Sequence, residues 1–276
     1  MSSYRLPGLI AALGLALGVA TASAAEIAST DALAAQIDSP HRAAANRARD
    51  AYRHPLGTLQ FFGVRDDQTV VEIWPGGSAW WTEILAPYLR EKGHYIAANP
   101  PGAGASQEAL NSNQTLAAKL ASDPARYGKV IIASFPATDI VAPGTADVLL
   151  SFRNLHNWLT TGTVDQAFNS FYRALKPGGI LGIEDHRANP ALPADAQLKN
   201  GYVREDEAIR LAEKAGFRLL ARSEVNANGK DTKDYPEGVW TLPPTYRTRG
   251  DTRDQDREKY RAIGESDRFT LKFIKP

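Results

Sequence analysis

From residue 69 to the end, short apolar or β-branched runs alternate with segments whose apolar side chains recur every three or four residues. That alternation restricts the chain to an α/β sheet more tightly than any other feature. Thr69-Val70-Val71-Glu72-Ile73-Trp74 reads as a strand closed by Pro75-Gly76-Gly77, with a helix over Thr82 to Arg90. His94 to Ala98, Lys129 to Ser134 and Asp147 to Phe152 are expected to be the next three strands. A helix over Val164 to Leu175 follows, with Phe168, Phe171, Tyr172 and Leu175 on its apolar stripe. Lys176-Pro177-Gly178-Gly179 turns the chain into a strand from Ile180 to Glu184. Residues 205–215 read as a helix capped by Gly216, Phe217 to Val225 as a sixth strand and Arg268 to Ile274 as a last, alternating one. Upstream, Ser39-Pro40 reads as N-cap and N1 of a helix reaching Arg53, and Pro55 opens a second helix to Phe62. The charged stretch 246–267 reads as a solvated insertion, and no internal repeat is present.

Composition removes several function classes. With no Cys among 276 residues, there is no disulfide scaffold, thiolate zinc site or cysteine nucleophile. Lys and Arg number 32 against 31 acidic side chains, which offers no electrostatic footprint for nucleic acid. Arg5, the apolar run Leu9 to Ala20 and Ala22-Ser23-Ala24 have the form of a secretory signal peptide over residues 1–24, and 12 apolar residues fall short of a bilayer span. A single domain over 25–276, with N-terminal helices in 25–66, is expected to remain, periplasmic or secreted. Loss of Arg5 and Met1 leaves 31 basic against 31 acidic side chains and no sulfur.

A strand, an acidic residue, a Gly-rich turn and a helix together place a ligand against free helix amides. By itself the Pro-Gly-Gly turn needs no ligand. The wider pattern from Val70 to Glu184 resembles the class I S-adenosylmethionine-dependent methyltransferases. The resemblance lies in Val70-Val71-Glu72-Ile73-Trp74-Pro75-Gly76-Gly77, in Asp147 to Trp158, and most specifically in Tyr172-Arg173-Ala174-Leu175-Lys176-Pro177-Gly178-Gly179-Ile180-Leu181. Trp74-Pro75-Gly76-Gly77, Asn154-Leu155-His156-Asn157-Trp158 and Val239-Trp240-Thr241-Leu242-Pro243-Pro244 are similar to a subgroup of exported, predicted methyltransferases.

The resemblance implies a Rossmann-like, doubly wound sheet of seven strands ordered 3-2-1-4-5-7-6. The last strand is antiparallel, helices cover both faces, and S-adenosylmethionine lies across strands 1 and 4. It maps Glu72, Trp74, Gly76, Gly77, Ser78 and Asn99 onto the cofactor side. Ser134 and Phe135 would flank the adenine, and Phe152, Arg153 and Asn154 would line the donor methyl. Two positions depart from the family: Trp74 stands where it has Gly, and Asn99 where an acidic residue holds the ribose. A neutral amide bonds hydroxyls more weakly than a carboxylate does.

Methyl transfer to oxygen benefits from a base near neutrality, for which His is suited. Of the five His, His156 and His186 follow the fourth and fifth strands, which would be neighbours at one cleft. His156 is the candidate base, and Asp185, His186 and Trp240 are candidate substrate contacts. His156, His186 and Asp185 could form a metal site, but three such residues are too few to argue for one, and no metal is expected. The partner expected is a small-molecule acceptor. The competing reading is a catalytically degenerate, methyltransferase-like binding protein, favoured by Trp74, Asn99 and export. A nicotinamide enzyme lacks a full G-x-G-x-x-G, and a serine hydrolase lacks the last Gly of its elbow.

Overall fold

The computed structural model describes residues 24–102, 104–248 and 254–276. Helices α1 (Ala24–Ile37), α2 (Ala44–Arg47), α3 (Asp50–Arg53) and α4 (Pro55–Phe62) precede β1 (Thr69–Ile73). Then come α5 (Thr82–Leu89), β2 (His94–Asn99), α6 (Gln107–Ser122), α7 (Pro124–Tyr127), β3 (Ile131–Ser134) and β4 (Ala146–Phe152). The second half holds α8 (Leu155–Thr161), α9 (Val164–Ala174), β5 (Leu175–His186), α10 (Glu205–Lys214), β6 (Arg218–Ser223), α11 (Asp254–Ile263) and β7 (Arg268–Ile274). Short 3-10 turns lie at Leu198–Asn200 and Gly238–Thr241.

The seven strands pair in the order 3-2-1-4-5-7-6. β7 runs antiparallel to both β5 and β6, and the other pairs are parallel. Alternation along the strands divides the core in two. Val71, Ile73, Leu149, Leu181 and Ile183 face the layer that contains α8, α9 and α10. Val70, Val148 and Leu150 face the layer of α1, α4 and α5. Central strands buried on both faces need continuous apolar runs, which is why these segments were legible in the sequence.

Beyond shifts of one to two residues at strand ends, four features differ from the sequence reading. Residues 39–53 are not one helix. Ser39 does not cap it, because its hydroxyl is hydrogen-bonded to His41 Nδ1 at 2.6 Å. The Arg42 guanidinium instead ties the Ile37 carbonyl to Asp50. β5 begins at Leu175, and its register jumps from Ala146↔Leu175 to Val148↔Ile180, so the Lys-Pro-Gly-Gly turn is an irregularity within it. α6, a 16-residue helix, has no counterpart in the reading, because Leu116 is its one buried side chain and its apolar stripe is too narrow. Its start is fixed locally by Ser106, whose hydroxyl accepts from the Ala109 amide at 3.2 Å. Finally, the charged stretch is solvated only in part: Glu265, Ser266 and Asp267 at its end are buried. The expected signal segment, except Ala24, lies outside the described residues. Among the described residues, no helix is long and apolar enough to cross a membrane.

Candidate active site

The carboxyl ends of the parallel strands open onto a cleft of about 760 Å³, within the size range of small-molecule sites. Its walls are the β1 turn (Trp74, Gly76), the end of β2 (Asn99, Pro100), the start of α6, Pro136, and one face of α8 with its cap (Asn154, Asn157, Thr161). Those last three residues recur at helical spacing, so one side of α8 serves the cleft. Asn154 is fixed by a hydrogen bond from its Nδ2 to the Ile73 carbonyl at 2.9 Å, which locks α8 to the end of β1. Asn99 is buried, yet among the described residues its side-chain amide has no hydrogen-bond partner. A polar group in that state is available to a ligand.

The β1 turn keeps a glycine-like backbone without all of its glycines. Gly76 has φ +75°, and a Cβ there would meet only open space, so the chain can approach a ligand closely. Trp74 adopts φ +51° despite its side chain, a conformation costing about 1–3 kcal/mol. Packing offsets that strain. The indole meets Phe135 and Trp158 edge-on at 5.8 and 5.7 Å, and its Nε1 donates to the Phe135 carbonyl at 3.0 Å. The ring therefore forms a wall of the cleft rather than a plug.

Trp74, Gly76, Asn99 and Asn154 thus come together, and the other residues expected on the cofactor side stand apart. Glu72 is buried and accepts a 2.5 Å hydrogen bond from the Tyr95 hydroxyl, which also bonds Thr82. Burial raises its carboxyl to about 7, against the pull of that hydrogen bond and of Arg153 and Arg53. Gly77 faces α6, where a Cβ would come within 3.3 Å of the Ser112 carbonyl, so its smallness serves packing. Ser78 and Ser134 are exposed away from the cleft. Phe135 is buried behind Trp74, and Phe152 stacks on Trp81 at 4.2 Å in the opposite core layer. In each case an apolar ring found more burial in the core than at a rim, which strand-end position alone does not reveal.

On another face of α8, His156 points toward the end of β5. Its Nδ1 lies 3.0 Å from Asp185 Oδ1. A carboxylate can only accept, so Nδ1 carries a proton, and the neutral tautomer set by this contact is the one with its lone pair on Nε2. Asp185 is fully buried and held in place by the backbone amides of His156 and His186 at 3.3 and 2.7 Å. The His186 ring lies 5.4 Å from that of His156, and Trp240 closes the far side at 6.0 Å. Burial, then the neighbouring His156, Arg153, Arg268 and Arg53, hold His186 well below its usual range and therefore neutral. The loop carrying Trp240 is an ordered, packed one, with Val239 and Leu242 buried. Ligand atoms of His156, Asp185 and His186 lie within 4.8 Å of one another, a spacing that could hold a metal ion. The guanidiniums that depress His186 oppose a cation there as well.

Those guanidiniums belong to a buried charge network that sequence reasoning missed, since its members come from distant segments. Glu265 pairs with Arg49 at 2.6 Å, Arg53 at 3.3 Å and Arg268 at 3.4 Å, and Arg268 also lies 3.0 Å from Glu184. Burial opposes ionisation of Glu265, but Arg53, Arg268 and Arg49 outweigh it and hold the carboxyl at about 2.

No protein-family model matches the chain, and no curated protein matches it. Solved structures do share its fold. A SAM-dependent methyltransferase from Aquifex aeolicus is 17% identical with a TM-score of 0.53, over 90% of this chain and 98% of that one. The cyclase SpnF is 15% identical with a TM-score of 0.55, over 87% of this chain and 86% of that one. The fold is that of the class I methyltransferases. One of these two structures is a cyclase, so the shared fold does not by itself set the reaction.

Proposed function

We propose that this chain is an S-adenosylmethionine-dependent methyltransferase that transfers to an oxygen of a small-molecule acceptor, with His156 as general base. The observation that carries the proposal is the buried His156–Asp185 pair, set on the helix whose other face lines the cleft at the switch point of the sheet. The cleft residues fit the cofactor. Gly76 leaves open space for close backbone approach, and the unbonded amide of Asn99 suits ribose hydroxyls. Asn154, Asn157 and Thr161 add polar groups along the same wall. S-adenosylmethionine, when bound, supplies a methyl group already activated on a sulfonium, so the protein contributes mainly positioning.

The chain's own chemistry is proton removal. Nε2 of His156 accepts the hydroxyl proton of the acceptor. Asp185 keeps the imidazole in the tautomer that leaves Nε2 free, then stabilises the imidazolium that forms. His186, neutral and bonded through Nδ1 to Ser266, and Trp240 shape the space beside the base. The same proposal has residues 1–24 removed on export, so that the working protein is periplasmic or secreted. Sequencing the N-terminus of the protein recovered outside the cytoplasm tests this, and an intact Met1 refutes it.

Calorimetric titration of the purified protein with S-adenosylmethionine tests the central reading. Absence of binding at millimolar cofactor would sink it. If binding is observed, His156→Ala is expected to keep cofactor affinity while lowering methyl transfer by about 10²–10⁴-fold. Loss of affinity instead would make His156 a structural residue.

A further inference from the structure

The charge network beside His186 is out of balance. Arg49, Arg53, Arg153 and Arg268 face Glu184, Glu265 and Glu72, with the Asp185 carboxylate beside His186, and because Glu72 is half protonated near neutrality the guanidiniums outnumber the charged carboxylates. Pairing within it is also incomplete. Nη2 of Arg53 and Nε of Arg268 are buried without a hydrogen-bond partner, on residues only 2% and 1% exposed.

Arg153 is the extreme case. Among the described residues its guanidinium makes no hydrogen bond and no ion pair, and its Nε is buried without a partner. Its backbone sits at φ +59°, a conformation that is strained for a non-glycine residue. It stands in the turn between β4 and α8, three residues before the candidate base. Burial lowers its affinity for its own proton, yet a guanidinium stays charged in a protein. An unpaired cation held in strained backbone, in the turn beside the cleft-lining Asn154, lowers stability. Such a cost persists where the group serves a ligand.

We propose that Arg153, backed by the free N–H groups of Arg53 and Arg268, receives an oxyanion carried by the acceptor, so that the acceptor is an anionic small molecule bearing a carboxylate or phosphate. Guanidinium forks suit such groups because two parallel N–H bonds match their geometry. The incoming oxyanion offers acceptors to the unmet donors of the guanidiniums. Assignment of the oxyanion to the acceptor rests on the methyltransferase reading, whereas the oxyanion site itself does not.

Inorganic phosphate is the probe, titrated calorimetrically into the full-length protein at constant ionic strength set with potassium chloride. Wild type is expected to bind it, and Arg153→Gln to bind it about tenfold more weakly or worse. No binding by wild type, or equal binding by the variant, overturns the site. Arg153→Gln is also expected to melt no lower than wild type, since no direct ion pair is broken and a buried, strained cation is removed. A melting point lower by roughly 5 °C or more would show that the guanidinium holds the fold, and would overturn the proposal. A second titration identifies the source of the oxyanion. S-adenosylmethionine affinity is expected to stay within about twofold in Arg153→Gln. If it falls while that of decarboxylated S-adenosylmethionine does not, Arg153 holds the cofactor's own carboxylate and the acceptor assignment is wrong. If wild type binds no S-adenosylmethionine, the methyltransferase reading fails and the acceptor assignment with it, while the phosphate titration still decides the oxyanion site.

Discussion

Replacing Glu72 by Gln tests the electrostatics of the site most directly, because the carboxyl is 2% exposed and its folded value near 7 lies far from the ordinary 4.5. An acid whose folded value is raised stays protonated in the native state at pH values where the unfolded chain has already ionised. Its contribution to stability is therefore complete below about pH 4.5 and is lost as pH rises toward 7. A gap of about two and a half in pKa corresponds to about 3 kcal/mol, of which roughly 2 kcal/mol is lost between pH 5 and pH 7. Gln cannot ionise, has nearly the same volume, and offers Tyr95 a carbonyl oxygen in place of the carboxyl oxygen it now bonds.

Thermal unfolding of wild type and Glu72→Gln should thus agree near pH 5 and diverge above it. At pH 8 the variant should melt roughly 6 °C or more above wild type, at about 2–4 °C per kcal/mol. The difference between the two proteins isolates Glu72. His186, which burial keeps neutral, pulls the other way in both, as the unfolded chain takes up its proton below about pH 6.5. Equal melting temperatures at pH 8, or a deficit for the variant, would refute the assignment of a raised carboxyl at this position.

Asp185→Asn should lower methyl transfer by about 10²-fold or more with cofactor affinity unchanged, because the amide no longer fixes the tautomer of His156. Equal rates by product release would remove Asp185 from the mechanism. Asn99→Asp should tighten S-adenosylmethionine binding by roughly threefold to tenfold in calorimetry, since a carboxylate bonds hydroxyls more strongly. Weaker binding would place the ribose elsewhere. Gly182→Ala should destabilise by about 1–3 kcal/mol in urea unfolding, because a Cβ would stand 2.8 Å from both Leu150 and Phe62 across the packed layer.

The strand and helix pattern was readable because it depends on local periodicity. Central strands buried on both sides carry continuous apolar runs, and the turn after Trp74 carries its glycines wherever the chain is folded. β7 matches its reading at both ends, Arg268–Ile274, and the seven-strand order agrees with the one the resemblance implied. α6 escaped because a helix that buries a single residue leaves almost no apolar period to detect. Of the residues assigned to the cofactor, Trp74, Gly76, Asn99 and Asn154 line the cleft because they sit in turns and at strand ends aimed into it. Phe135 and Phe152 do not, since large apolar rings move to whichever core layer buries them best.

By itself the sequence determined the fold class, the absence of cysteine chemistry and the location of the Pro-Gly-Gly turn, because these follow from residue type and near-neighbour spacing. Only the tertiary structure decided the chemistry of the site. His156 meets Asp185 across 29 positions, and Arg53 meets Glu265 across 212. Among the described residues Arg153 has no ion-pair partner, while Glu265, just before β7, is taken by Arg49 and Arg53 of the N-terminal segment, and Glu184 of β5 by Arg268. Coulombic and hydrogen-bonding partners are chosen by distance in space, and the sheet's crossovers set that distance.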